Sequence, residues 1–72
     1  MEEQLREDIS NRFVYHAPKG DQGARYGSLR LAAKNFAMDI WTLCPESREQ
    51  SLALTKLQEA VMWANAAIAC NE

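Results

Sequence analysis

The chain has 72 residues, of which 47% are apolar and 25% are charged, and its formal net charge is −2 at pH 7. This length excludes more than one domain and a large core, because so short a chain buries only about 60% of the surface that it exposes when unfolded. No run of residues approaches the roughly 20 apolar positions of a membrane-spanning helix, and the small negative charge gives no indication of nucleic-acid binding.

The first predicted helix covers about residues 3–11, where Leu5 and Ile9 lie four residues apart on one face. A helix this short is marginally stable alone, so we expect it to dock on another part of the protein. The segment FVYHAP alternates in character and ends at Pro18, which disfavours helical backbone at the preceding residue. Residues 12–21, including the turn-forming PKGDQG, are therefore predicted to form an extended loop.

The second predicted helix covers about residues 22–43. An apolar stripe at steps of four and three residues runs along it: Leu29, Ala33, Phe36, Ile40 and Leu43. Gly23 and Gly27 weaken its first turns by roughly 1 kcal/mol each relative to alanine. They indicate either fraying of the helix or close approach of a ligand or a neighbouring backbone.

The third predicted helix covers about residues 47–69 and follows a break at Pro45. Ser47 and Gln50 match the S-x-x-Q capping box that opens a helix. Its apolar stripe again steps by three and four residues: Leu54, Leu57, Val61, Ala64 and Ile68. A strip of small side chains recurs every seven residues beside it: Ala53, Ala60 and Ala67. The short connection predicts an antiparallel hairpin of the second and third helices.

The predicted fold class is therefore all-α: a short N-terminal helix, an extended loop and a two-helix hairpin, forming one domain over residues 1–72. The seam of the hairpin uses both apolar stripes. Four large side chains remain outside the stripes: Met38, Trp41, Met62 and Trp63. Because an exposed apolar patch of this kind marks an interface, we expect the hairpins to assemble into a compact homo-oligomer through these residues.

Other sources of stability are disfavoured by the composition. Cys44 and Cys70 allow at most one disulfide, and the charged N-terminus does not resemble a signal peptide, so reduced thiols are expected. The single histidine and the lack of a CxxC pair predict no metal and no cofactor. Oligomerisation remains as the expected source of additional stability.

Positive charge is concentrated in the middle of the chain. Five cations and one acidic residue lie between residues 12 and 34, a local charge of +4 that leaves −6 for the rest: Arg12, Lys19, Arg25, Arg30 and Lys34 against Asp21. This distribution suggests a local anion site rather than a track for a polyanion. An ordinary solvated helix face is the alternative interpretation.

Catalysis and DNA binding find little support in the residues. Tyr15 and His16 resemble an acid–base pair, but no motif supplies a nucleophile and the loop has no paired carboxylates, so no enzyme is predicted. A lone histidine is more often a hydrogen-bonded structural group than a metal ligand. The third helix would be the recognition helix of a helix-turn-helix, yet its only cations are Arg48 and Lys56.

A small anion with flat bases is a further possibility. Tyr15 can stack on a base, and Arg30 can pair with a phosphate through two parallel hydrogen bonds. Lys34 lies one turn further along the same side, and free N–H groups near Gly20 and the start of the second helix also favour anions. The structural alternative is that Tyr15 and His16 only cap the helices.

Two long segments carry a resemblance to a known family: NRFVYHAPKGDQGARYGSLR and CPESREQSLALTKLQEAVMWANAAIA. From about residue 10 onward, the chain resembles small phage proteins that act as sponges for cyclic-oligonucleotide second messengers and counter the bacterial immune system CBASS. The most specific parts are YHAP, RYGSLR and SLALTKLQEAVMWANAAIA. The resemblance implies a helical-hairpin domain that binds its ligand and does not cleave it.

The resemblance also implies an assembly and a place of action. Such proteins are compact homohexamers that sequester cyclic dinucleotides, for example 3′,3′-cyclic GMP–AMP, in the cytoplasm of the infected bacterium. Some hold cyclic trinucleotides at separate sites. Relatives often carry arginine near the end of the last helix, where this chain has Cys70, so its trinucleotide binding is in doubt. The remaining polar groups would be Asn65, Asn71 and the amino end of the second helix.

The site residues implied by the resemblance lie in a pocket between two protomers. Tyr15 matches the base-stacking tyrosine, and Arg30 matches the phosphate-contacting cation, with Lys34 as the alternative register. His16 and Arg25 are secondary candidates. A two-fold interface presents each residue twice, which suits a ligand with two bases and two phosphates. The alternative functions are a helical protein-interaction module and a small DNA-binding regulator.

Overall fold

The computed structural model describes residues 2–72 and contains three α-helices. They are α1 (Glu2–Phe13), α2 (Gln22–Leu43) and α3 (Arg48–Asn71). No strand occurs in these 71 described residues, so the predicted all-helical class is confirmed. None of the three helices is both long enough and apolar enough to cross a bilayer.

The first helix is longer than the sequence pattern indicated. It continues through Phe13, and the loop begins at residue 14 rather than 12. Arg12 pairs with Asp8 one turn earlier at 3.0 Å. A cation in the last turn also interacts favourably with the helix dipole, which stabilises the extended helix. Helix α3 likewise continues two residues beyond Ala69, since no glycine or proline interrupts it there.

The connection between α2 and α3 is fixed by two polar side chains. The Ser47 hydroxyl oxygen accepts the backbone N–H of Gln50 at 3.1 Å, as expected for a helix cap. The reciprocal bond of a capping box, from the Ser47 backbone N–H to the Gln50 side-chain oxygen, is absent among the described residues. The Gln50 side-chain NH2 group donates to the carbonyl of Cys44 at 3.0 Å. Buried Gln50 thus satisfies a carbonyl at the end of α2, where helical partners run out.

The hairpin seam covers less apolar surface than the two stripes suggested. Ile40 is the one buried apolar side chain of the described residues, whereas Phe36 is 56% exposed and Leu43 is 79% exposed. Phe36 lies on the side of α2 that faces α3, since it lines an open groove with Leu57 and Val61, but neither Phe36 nor Leu43 is buried. A single pair of helices also shields only a narrow line of side chains.

The isolated chain is a flat layer about one helix thick. Its principal extents are 49 × 29 × 14 Å, and its radius of gyration is 15.9 Å, compared with about 11 Å for a compact domain of this length. It exposes 6126 Å², roughly 1,600 Å² more than a compact monomer of the same mass. The fold alone therefore leaves much of its apolar surface uncovered.

Candidate functional site

Arg30 and Lys34 line the same open groove between α2 and α3. The groove has a volume of about 330 Å³, and Gln58 adds a third polar side chain. Its remaining lining is apolar: Ala33, Ala37, Leu54, Leu57, Val61 and Met62. An apolar surface with a few placed polar groups is typical of sites for small organic ligands. The two cations favour an anionic one.

The Arg30 side chain lies back over the preceding turn of α2. A Cβ built on Gly27 would be 3.8 Å from Arg30 Nη2, an ordinary van der Waals distance, and one on Gly23 would meet open space. Neither glycine is therefore required by close approach within the chain. The direction of Arg30 follows from helix geometry, in which side chains lean toward the N-terminus. Its guanidinium is directed toward the end of α2 that joins the loop.

Tyr15 stands apart from this groove. Its side chain is 86% exposed, and it is not among the residues that line the groove with Arg30 and Lys34. The neighbouring Phe13 and Val14 are also exposed. The single chain therefore brings the two cations together but leaves the aromatic ring of Tyr15 without a partner in the groove.

His16 ties the loop to the first helix. Its ring Nε2 lies 2.9 Å from the carbonyl oxygen of Asn11, so this nitrogen carries the proton, because a carbonyl can only accept. The Asn11 amide in turn donates to the carbonyl of Cys70 at 3.0 Å. His16 is thus part of a chain of contacts that links the loop, α1 and the end of α3.

Arg25 is engaged by the chain itself. Its guanidinium pairs with both carboxylate oxygens of Glu72, at 2.8 Å from Nη1 to Oε2 and more closely from Nη2 to Oε1. It also lies 3.2 Å from Asp21. The charge of Arg25 is therefore paired within the chain, although its Nε is buried without a hydrogen-bond partner in the described residues. For Arg30 and Lys34 the described residues provide no ion pair.

Glu72 is surrounded by donors on the start of α2 and the end of the loop. The Gln22 amide donates to Glu72 Oε1 at 3.3 Å, and Lys19 Nζ donates to the Glu72 backbone oxygen at 3.0 Å. The hydrogen bonds from Arg25 and then Gln22 lower the pKa of Glu72 from 4.5 to about 2. The same pairing raises the pKa of Arg25.

This cluster was missed by reasoning from sequence. The sequence suggests Arg25 only as a secondary ligand contact and indicates no role for Gln22 or Glu72. A signal was nevertheless present, because an antiparallel hairpin places the start of α2 and the end of α3 at the same end of the molecule. A carboxylate at one of these positions and cations at the other can then meet.

A second groove, of about 540 Å³, separates α1 from α3. Trp63 forms part of its wall together with polar residues of both helices: Asp8, Asn11, Arg12 and Asn71. Trp63 is 70% exposed and Met62, on the wall of the groove of Arg30, is 63% exposed. The four large apolar residues outside the stripes are thus exposed on the single chain, but they belong to more than one face.

The structure is that of a helical-hairpin protein with an open, mostly apolar groove that two cations line. Residues 6–69 match the family described as Acb2/Tad1, hairpin domain. Because the match covers most of the chain, the protein belongs to this family, which is that of the anti-CBASS sponges. The family is associated with sequestration of cyclic oligonucleotides. The searches of curated proteins and of solved structures found no match.

Proposed function

We propose that the protein binds cyclic dinucleotides, such as 3′,3′-cyclic GMP–AMP, and withholds them from CBASS effectors without cleaving them. Membership of a sponge family supports a binding protein. The single observation that carries the assignment is the open apolar groove with both Arg30 and Lys34 on its rim. Two cations without internal partners suit a ligand with two phosphates.

The pocket is proposed to form between two protomers. Tyr15 is exposed and lies away from the groove of its own chain, so a second copy is needed to bring a stacking ring and the cations together. Under two-fold symmetry, one Tyr15 and one Arg30 per chain provide two stacking surfaces and two phosphate contacts. Each phosphate then has a cation, which avoids the cost of burying it unpaired.

Assembly beyond a dimer is supported by the surface that the chain leaves exposed. The excess of roughly 1,600 Å² is about twice what one partner buries in an interface of standard size. Each protomer therefore has surface for two different interfaces, and two kinds of interface can close a ring or a compact cluster. A homohexamer is the proposed assembly, with Met38, Trp41, Met62 and Trp63 among its contacts.

Dinucleotides are proposed as the main ligands, and trinucleotides as possible additional ones at separate sites. The end of α3 offers few free polar groups for a second site. The Asn71 amide donates to the carbonyl of Ala67 at 2.9 Å, and the neighbouring Cys70 carries no positive charge. Asn65 Oδ1 is buried without a hydrogen-bond partner in residues 2–72. The site of action is proposed to be the cytoplasm of the infected bacterium.

The mechanism is stoichiometric capture, and it is tested by the fate of the ligand. The protein is incubated with 3′,3′-cyclic GMP–AMP, denatured, and the released nucleotide is analysed by chromatography. Intact cyclic dinucleotide in an amount proportional to the protein supports the proposal. Linear dinucleotide that accumulates with time would instead indicate a phosphodiesterase and would refute the sponge mechanism.

A further inference from the structure

The loop that carries Tyr15 is held at two places, and both lead to the end of α3. Behind Tyr15, His16 bonds the carbonyl of Asn11, whose side chain bonds the carbonyl of Cys70. At the other end of the loop, Lys19 bonds the backbone oxygen of Glu72. Tyr15 itself makes no hydrogen bond in the described structure. Its position depends on these neighbouring anchors.

The second anchor is a connected network rather than a single ion pair. The Lys19 backbone N–H donates to Gln22 Oε1 at 2.9 Å, and the other end of the same amide donates to Glu72. Arg25 adds the two-bond contact to the carboxylate. The network thus joins the loop, the first turn of α2 and the residue after α3.

We propose that Glu72 is a positioning residue for Tyr15: its carboxylate fixes the loop against the end of the hairpin and so orders the stacking residue before the ligand arrives. The positioning role rests on the proposed function, whereas the ordering of the loop does not. Glu72 touches no part of the proposed groove, because the groove is lined by Arg30, Lys34 and residues of α3 up to Met62. It acts through Lys19, Gln22 and Arg25.

The burial of Gln22 makes this network stronger than an ordinary surface pair. An exposed ion pair contributes little, and the Arg25 and Glu72 side chains are 40% and 42% exposed. Gln22, however, is only 4% exposed. If glutamine replaces Glu72, one of the two acceptor oxygens becomes an NH2 donor, so Arg25 and Gln22 compete for the single oxygen that remains. A buried amide such as that of Gln22 loses stability when it is left without an acceptor. We then expect the Gln22 side chain to change conformation, which weakens the hydrogen bond that it accepts from the Lys19 backbone N–H.

Order in the loop matters for binding because a mobile residue must lose its freedom when the ligand is captured. In a pocket with two-fold symmetry, this cost is incurred twice, once for each Tyr15. The backbone that carries Arg30 and Lys34 is already ordered, since both residues lie within α2. The loop is therefore the part of the proposed site in which positioning has the largest effect on affinity.

The test compares Glu72→Gln with Glu46→Gln in the full chain. Both remove one negative charge, but Glu46 is exposed in the turn at the opposite end of the hairpin. Amide hydrogen exchange of residues 14–21 is measured without ligand, and binding of 3′,3′-cyclic GMP–AMP is measured by calorimetry. We expect Glu72→Gln to exchange faster at Lys19 and to bind about threefold to tenfold more weakly. Glu46→Gln should match the wild type in both measurements.

A charge exchange separates positioning from a general loss of structure. The double variant Arg25→Glu with Glu72→Arg recreates an ion pair of reversed direction, and it should recover slow exchange at Lys19 and part of the affinity. Far-ultraviolet circular dichroism of all variants should stay unchanged, because α2 and α3 do not depend on the network.

Each contrary result has a distinct meaning. Unchanged exchange in Glu72→Gln would overturn the inference whatever the ligand does. Faster exchange with wild-type affinity would show that the loop is ordered by Glu72 but would refute its positioning role. If the wild-type protein binds no cyclic dinucleotide, the proposed function fails and the positioning role fails with it, while the exchange data still decide whether Glu72 orders the loop.

Discussion

The hairpin and the segment that precedes it are held in different ways. Helices α2 and α3 share an apolar seam around Ile40, and their connection is closed by Ser47 and Gln50. Residues 2–21 have no buried apolar side chain and are attached mainly through polar contacts to the end of α3. The hairpin is thus specified by its own sequence pattern, whereas the segment with Tyr15 depends on tertiary contacts and, we propose, on a second copy.

The largest expected effect is a loss of ligand affinity when either region loses its contact residue, Tyr15 in the loop or Arg30 in the hairpin. Tyr15→Ala and Arg30→Ala should each weaken binding of a cyclic dinucleotide by more than about tenfold, because stacking and charged hydrogen bonds are both lost twice. Calorimetry measures the affinity, and sedimentation checks that the oligomer persists.

Two further variants make this prediction specific. Arg48→Ala removes an exposed cation at the start of α3, outside the groove, and should bind as the wild type does. Lys34→Ala decides which cation contacts the phosphate. A smaller loss of affinity than in Arg30→Ala supports Arg30 as the phosphate contact, and a larger loss assigns that contact to Lys34. Wild-type affinity in both Tyr15→Ala and Arg30→Ala would refute the pocket.

The next effect concerns the surface that both regions leave uncovered. The purified protein should sediment far above its monomer mass of 8.2 kDa, and Trp41→Glu should shift it toward smaller species by placing a charge in a contact between copies. Ser51→Glu, at an exposed position on α3, serves as the matched control. A wild-type monomer would instead favour the protein-interaction module.

A smaller effect is expected inside the hairpin. Gln50→Ala should lower the free energy of unfolding by about 1–3 kcal/mol, since it leaves the carbonyl of Cys44 without its donor in a partly covered position. Thermal unfolding at fixed protein concentration measures the change, with the exposed Glu49→Ala as control. Equal melting temperatures for the two variants would mean that Gln50 has no capping role.

The smallest effect is the pH dependence of the loop. Because the pKa of Glu72 is lowered from 4.5 to about 2, the contact stabilises the folded chain fully above 4.5 and is lost as the pH falls from 4.5 toward 2. Exchange at Lys19, corrected for its intrinsic pH dependence, should therefore stay slow at neutral pH and accelerate only in this acidic window. Acceleration already between pH 7 and pH 6 would point to a different group.

The sequence predicted best what depends on local pattern. The bounds of α2, the Ser47 cap and the hairpin connection follow from periodicity, a proline and a serine, and the structure has all three. The family was recognisable because long segments of both hairpin helices resemble it. The extension of α1 to Phe13 was missed, since an alternating aromatic segment suggests extended backbone until tertiary contacts are known.

The contacts between distant residues were the least predictable part. Gln50 fits a capping box by spacing, but the bonds that its side chain makes run from its NH2 group to carbonyls at the end of α2. Phe36 and Leu43 fit a seam by period, but two helices cannot shield so wide a face. The pairing of Arg25 with Glu72 joins residues 47 positions apart, and such a contact follows only from topology.

Stoichiometry tests the shared pocket most directly. The wild-type protein is titrated by calorimetry with 3′,3′-cyclic GMP–AMP, and the number of ligands per protomer is read from the midpoint. A pocket built from two copies predicts saturation near one ligand for every two protomers. Saturation at one ligand per protomer would contradict a shared pocket, and the absence of binding would contradict the proposed function.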